Sequence, residues 1–313
     1  MQPKVSIIVA VYNVAPFLDK CITSLKNQTL RDFEVILVDD GSTDKSGRIC
    51  DAYAHEDSRF KVFHQANGGV ASARELGVEK ASGEYLIHVD PDDWIEDDML
   101  EELYGCAISE TADVVICDFY IDTLPATMEY SKQQPRDLKH STILTQYLDS
   151  SLHGSCCNKL VKRSVWNALD IHFPLIKLCE DMWVNAKLAM NDINFTYLNK
   201  AFYHYVRIDR VGSVTKGGNV QAGINAYEAS VCFRNLLQET DYWKTYVKYS
   251  MPWMAYLVLY YDAVSARKFK QEFRELQHTS GVAWLLRLSV ECYWIGQLIL
   301  LVRKSLGKLR YKK

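Results

Sequence analysis

The sequence has neither a GxGxxG fingerprint nor a GxxxxGK[ST] loop, so no backbone cradle for a bare phosphate is signalled. It also has no CxxC pair. Its nine cysteines are an odd set without framework spacing, and Cys156 and Cys157 are adjacent. A zinc ribbon and a disulfide scaffold are therefore excluded, and a reduced, cytosolic chain is expected. No run of 18 uncharged apolar residues occurs, which argues against a spanning helix. No cleavable leader is expected either, because apolar residues 5–11 read as a strand. The net charge of −3 lacks the excess of bases that a wholly nucleic-acid-binding protein carries.

That small net charge conceals an uneven distribution. Residues 264–313 carry eleven Lys or Arg against only Glu272, Glu275 and Glu291. A basic tail on an acidic body points to an anionic membrane surface or another polyanion. At 313 residues the chain can bury a large core and exceeds a single average domain.

The first ninety residues alternate strand and helix patterns. Residues 5–11, 33–38, 60–64 and 85–89 are apolar, β-prone runs, separated by stretches with helical spacing such as Leu18, Cys21, Ile22 and Leu25. Such alternation predicts βαβ units and a mainly parallel α/β sheet covered by helices. Right-handed crossovers then gather the strand C-termini on one edge. That edge collects Tyr12-Asn13, Asp39-Asp40 and the cluster Asp90-Pro91-Asp92-Asp93, and it is where ligands bind in open sheets. Crowded carboxylates there suit hydroxyls, base edges or a hard cation, and a nucleoside diphosphate with a bridging cation offers all three. The plainer reading of Asp90-Pro91-Asp92-Asp93 is an acidic first turn on a helix starting near Trp94.

Four motifs in order resemble family 2 glycosyltransferases of the GT-A fold. They are Val5-Ser6-Ile7-Ile8-Val9-Ala10-Val11-Tyr12-Asn13, Val38-Asp39-Asp40-Gly41-Ser42-Thr43-Asp44, Asn67-Gly68-Gly69 with Ala73-Arg74, and Gly83-Glu84-Tyr85 leading to Asp90-Pro91-Asp92-Asp93. The resemblance spans about the first 120 residues and implies a Rossmann-like sheet with a helical extension. It implies donor-nucleotide contacts at Ala10, Tyr12, Asp40, Gly69, Arg74 and Asp90, with Asp40 on the uracil of a UDP-sugar. It further implies that Asp92 ligates Mn²⁺ or Mg²⁺. Ala10 stands where the family often has proline, and Glu75 stands where it often has asparagine.

Farther along, residues 122–141 read as a polar loop reaching over the site. Glu180-Asp181 open a helix, where acids suit the dipole in any protein. The preceding Asn158-Lys159-Leu160 resembles the acceptor half of these transferases, which makes Asp181 the base and Glu180 its neighbour. Residues 195–198 and 202–206 read as a hairpin around Asn199-Lys200. By resemblance, Arg207 and Ser213 approach the diphosphate, and His204 is a third metal ligand, although a histidine in an aromatic strand also reads as core. Beyond Gln238 the pattern turns helical and aromatic. It ends in a cationic tail from Arg303 to Lys313, either a peripheral membrane anchor or a packing helix with solvated bases.

The expected organisation is a nucleotide-sugar half over 1–121, an acceptor half over 122–238 and a helical region over 239–313. The expected activity is inverting transfer from a nucleotide-sugar, a UDP-sugar by resemblance, to a hydroxyl of a glycan or lipid-linked acceptor in cell-surface polysaccharide synthesis. The expected location is the cytoplasm, with peripheral attachment at the inner face of the cell membrane as the further expectation. A sugar nucleotidyltransferase and a silent sugar-nucleotide-binding subunit are the alternative readings.

Overall fold

The computed structural model describes residues 2–123, 127–207 and 220–300. Its chain divides into two compact units. The first comprises residues 1–147, 152–175 and 180–209; the second comprises 148–151, 176–179 and 210–313.

The first unit is built on one sheet. Its strands are β1 (Val5–Val11), β2 (Phe33–Asp39), β3 (Phe60–His64), β4 (Tyr85–His88), β5 (Trp94–Ile95), β6 (Val114–Thr123), β7 (Thr127–Ser131), β8 (Lys159–Lys162) and β9 (Phe195–Arg207). They lie in the order β3-β2-β1-β4-β8-β6-β9-β5, with β7 paired to β6. The wing β3-β2-β1-β4 is wholly parallel, whereas β8 runs antiparallel to both β4 and β6. Consequently the start of β8 arrives at the same edge as the end of β4.

Helices α1 (Ala15–Lys26), α2 (Ser46–Glu56), α3 (Val70–Lys80) and α4 (Met99–Ser109) cover this sheet. Alternation along β1 explains the layering. Val5, Ile7, Val9 and Val11 join a core with Leu18 and Leu25 of α1, Cys50 of α2 and Leu103 of α4. Ile8 points the other way, where a Cβ on Gly77 of α3 would collide with its Cγ2, so only glycine lets that helix lie so close. The remaining helices of the unit are α5 (His140–Leu148), α6 (Arg163–Ala168) and α7 (Glu180–Ala189).

Three sequence expectations change here. Trp94 starts no helix; it pairs antiparallel with His204, and α4 begins at Met99. The segment after 122 is not a free loop, because β7 folds back on β6, and Tyr130 Oη and the Gln133 N–H donate to the buried carboxylate of Asp118. Finally, 195–207 is a single strand parallel to β6. Its pairing jumps from Cys117–Leu198 to Asp118–Ala201, so Asn199-Lys200 form a bulge rather than a hairpin turn.

The second unit is helical: α8 (Val220–Leu237), α9 (Trp243–Tyr249), α10 (Met251–Tyr260), α11 (Ala266–Phe273) and α12 (Trp284–Glu291). It begins earlier than residue 239, since α8 packs on α10 around the close approach of Gly223 to Ala263 and Tyr261. Many of its aromatics, including Phe233, Tyr246, Phe269 and Phe273, are core. Among the described residues, no helix is long and apolar enough to cross a membrane.

Candidate active site

The edge formed by the ends of β1, β2 and β4 is organised by backbone amides as much as by side chains. Asn13 leaves β1 with φ 51°. Its carboxamide oxygen accepts from the N–H groups of Thr43 and Asp44, which fixes the turn after β2. Asp40 is 2% exposed. Its Oδ1 accepts from Gln65 Nε2 at 2.6 Å and from the Gly68 N–H at 2.8 Å; its Oδ2 accepts from the Gly69 N–H at 2.8 Å. Oδ1 is then saturated, and Oδ2 retains one lone pair for an incoming N–H donor. Gly69 begins α3 at φ 87°, a conformation open to glycine at no steric cost. Tyr12 stands beside this pocket 45% exposed, and Ala10 lies opposite Val38 in the sheet.

Arg74 occupies the centre. It is 5% exposed, and one guanidinium reaches three carboxylates. Nη2 donates to Asp90 Oδ1 at 2.8 Å; Nη1 donates to Glu180 Oε1 at 3.1 Å and to Asp181 Oδ1. By resemblance, the sequence offered Arg74 and Arg207 as cations for the acidic edge, without the carboxylates that either would meet. In the structure it is Arg74, from α3, that meets the carboxylates. Burial works against its charge, but Asp181, Asp90 and Glu180 outweigh burial and raise its pKa well above the ordinary value. Burial, with the Asp181 charge adding to it, pushes the Glu180 carboxyl up to about 7. Arg207 lies exposed at the last position of β9, its guanidinium 5.9 Å from the Tyr205 ring. Ser213 lies outside the described residues.

The acid cluster after β4 splits into unlike members. Asp90 is a third exposed and Asp92 is half-buried. Asp93 is 2% exposed and serves the scaffold. It accepts from Tyr203 Oη at 2.5 Å and from the Val206 N–H at 2.7 Å, and burial with the Asp90 charge holds its pKa well above the usual carboxylate range. Tyr203 Oη in turn accepts from the Asp90 N–H at 3.1 Å, so β9 fixes the turn that presents Asp90 and Asp92. Sequence reasoning missed this pair, because a tyrosine in a buried strand carries no signal of its own.

Among the described residues, no three acids, histidines or cysteines converge as a ready-made metal cage. A hard cation of the Mg²⁺ kind takes one or two carboxylates and completes its shell with substrate phosphates and water, a demand that the Asp90 and Asp92 carboxylates of this turn fit. His204 is placed otherwise than expected. It is 2% exposed, stacked between Trp94 at 3.5 Å and Tyr120 at 4.7 Å. Its Nδ1 faces Asp122 and its Nε2 faces Glu96 at 2.9 Å, so both ring nitrogens are engaged away from the Asp90–Asp92 turn. Glu75 likewise holds the scaffold together, accepting from the Phe173 N–H at 3.0 Å and pairing with His172.

Comparison with known proteins identifies the family and the fold. The family profile described as Glycosyl transferase family 2 matches residues 6–169. The chain is 33% identical over 253 residues to the putative glycosyltransferase EpsH of Bacillus subtilis (strain 168), covering 79% of this chain and 72% of that protein. S. aureus TarS 1–349 in complex with UDP-GlcNAc superposes with a TM-score of 0.63 at 19% identity, over 94% of this chain and 92% of that one. The mannosyltransferase PcManGT of Pyrobaculum calidifontis, in complex with GDP-Man and Mn²⁺, gives 0.55 at 18%, over 100% and 89%.

Proposed function

The chain belongs to glycosyl transferase family 2 and has the GT-A fold, and from that premise we propose that it transfers a sugar from a UDP-sugar to a hydroxyl of a glycan or lipid-linked acceptor. The observation that carries the proposal is the Arg74 junction, which ties Asp90 at the nucleotide edge to Glu180 and Asp181 on α7 through one side chain. Donor-recognition and proton-accepting groups thereby sit within one guanidinium's reach.

In this reading Asp40 offers its remaining lone pair to the uracil N–H, Tyr12 covers the base, and Ala10 and Gly69 line the nucleotide. Asp90 meets the ribose or the sugar. Asp92 holds Mn²⁺ or Mg²⁺, which would screen charge on the departing diphosphate; TarS and PcManGT, solved with nucleotide-sugars and the latter with Mn²⁺, support the donor class and the cation. Arg207, at the end of β9, is assigned to the same diphosphate, and so by resemblance is Ser213, which lies outside the described residues. Asp181 accepts the proton as the acceptor oxygen attacks the anomeric carbon from the face opposite the leaving group, which inverts that centre. A positioned base of this kind contributes about 10²–10⁴-fold. The bases between Arg303 and Lys313 favour an anionic membrane surface at the inner leaflet and an acceptor delivered there, as cell-surface polysaccharide synthesis requires.

UDP release from a panel of UDP-sugars, with and without Mn²⁺ or Mg²⁺, tests the assignment. Asp181→Asn should lower metal-dependent UDP release about 10³-fold while UDP still binds. Unchanged turnover would remove Asp181 as the base, and release of pyrophosphate instead of UDP would make the protein a nucleotidyltransferase.

A further inference from the structure

We propose that Lys159 is a positioning residue for the base, acting through the loop of residues 153–158; this rests on the assignment of Asp181 given above. Lys159 opens β8 and is 1% exposed. Its ammonium donates to the carbonyl oxygens of Ser155 at 2.6 Å and His153 at 2.9 Å, and to Asn158 Oδ1 at 2.8 Å. Those are all the donors a lysine has. The Tyr147 ring lies 5.3 Å away, and among the described residues no carboxylate comes within ion-pair distance. Burying an ammonium without an anion is costly, whereas an apolar side chain could fill the same volume without that penalty. What the cation secures is the path of this loop.

The loop, in turn, holds α7. The Cys156 N–H donates to Asp181 Oδ2 at 3.1 Å, while Arg74 takes Oδ1, so the carboxylate is gripped from both sides. Asn185, one turn along α7, donates to the carbonyl oxygens of Gly154 at 2.8 Å and Ser155 at 3.2 Å. A Cβ on Gly154 would stand 2.8 Å from Met182 Cβ, so the loop is pressed directly onto the helix. Asn158 Nδ2 donates to the Cys117 carbonyl at 2.6 Å and anchors the assembly to β6. Removing the ammonium frees three acceptors, and the Cys156 N–H then no longer has a fixed position from which to orient Asp181.

The test is a double-mutant cycle between Lys159→Met and Asp181→Asn. It is read as kcat for UDP release from whichever UDP-sugar the wild type hydrolyses fastest, with water as acceptor, alongside the Kd for UDP. Lys159→Met should lower kcat about 10²-fold with UDP Kd changed by less than about threefold, and the double variant should be no slower than Asp181→Asn alone. Lys159→Gln, which keeps two N–H donors, should recover about tenfold of that loss. Should Lys159→Met fail to fold, the same cycle run with Lys159→Gln carries the decision. Losses that multiply in the double variant, or a kcat within about twofold of wild type, overturn the proposal. The two assignments fail separately. An active Asp181→Asn removes the base itself, whereas a dead Asp181→Asn beside an unimpaired Lys159→Met removes only the role of Lys159.

Discussion

The nucleotide edge and the α7 side of the site both present carboxylates, but they hold them by different means. At the nucleotide edge, only uncharged donors grip Asp40 and Asp93: the Gly68, Gly69 and Val206 N–H groups, with Gln65 Nε2 and Tyr203 Oη. On the α7 side, a buried guanidinium grips Glu180 and Asp181, and a buried ammonium shapes the loop that grips Asp181. Backbone donors are fixed by the fold and survive any side-chain truncation. Side-chain cations do not: losing Arg74 leaves three uncompensated carboxylates, and losing Lys159 leaves three buried acceptors without a donor. The α7 side should therefore be the more brittle of the two.

The sharpest way to break that contrast is Arg74→Met. Removing one partner of a buried ionic cluster leaves Asp90, Glu180 and Asp181 facing one another, and the expected loss is about 3–5 kcal/mol of stability. Thermal unfolding of the ligand-free protein measures it. A Tm within a degree or two of wild type would mean that the three carboxylates find other partners and that the contrast is false. The next effect down is Asp40→Asn at the nucleotide edge. The substituted carboxamide turns a donor toward Gly68 or Gly69, where only an acceptor fits, at about 1–3 kcal/mol. UDP affinity should fall as well, since the remaining lone pair on Oδ2 is lost or misdirected. A drop in stability exceeding that of Arg74→Met would invert the comparison.

The same contrast explains how much was legible in the sequence. The ends of β1, β2 and β4 are local: each strand runs straight into its own polar residues, so Tyr12, Asp40 and Asp90 could be placed at one edge from the alternation of patterns alone. The steric reason for Gly77, in the interior of α3, emerges only when that helix is laid on Ile8. The α7 side is assembled from distant pieces. Arg74 meets Asp181 across 107 positions, and nothing near either residue announces the other. Tyr203 looks like an ordinary member of a strand, and Lys159 stood out only within the Asn158-Lys159-Leu160 motif; their polar ends matter because of where β8 and β9 enter the sheet. Residues 195–207 were misread for a related reason. Asn199-Lys200 have turn chemistry, but pairing with β6 continues past them and absorbs them as a bulge.

The smallest predicted effect concerns pH, and it bears on whether the α7 carboxylates are strained before any donor binds. The Glu180 carboxyl is raised from 4.5 to about 7, through burial first and the Asp181 charge second. A carboxyl with a raised native pKa binds more protons folded than unfolded, so its contribution to stability declines as pH rises from about 4.5 to about 7. His64 and His172, raised by their carboxylate partners, push in the same direction over part of that range, because protonated histidine is favoured in the native state. Glu34, lowered to about 2, acts only in more acidic solution. The wild-type slope alone is therefore ambiguous, and the difference against Glu180→Gln isolates the one group. Tm of the ligand-free Glu180→Gln variant should gain on wild type steadily between pH 4.5 and 7 and then level off. Parallel Tm curves for the two proteins would mean that Arg74 already neutralises Glu180 in full. The α7 side would then be no more strained than the backbone-held edge.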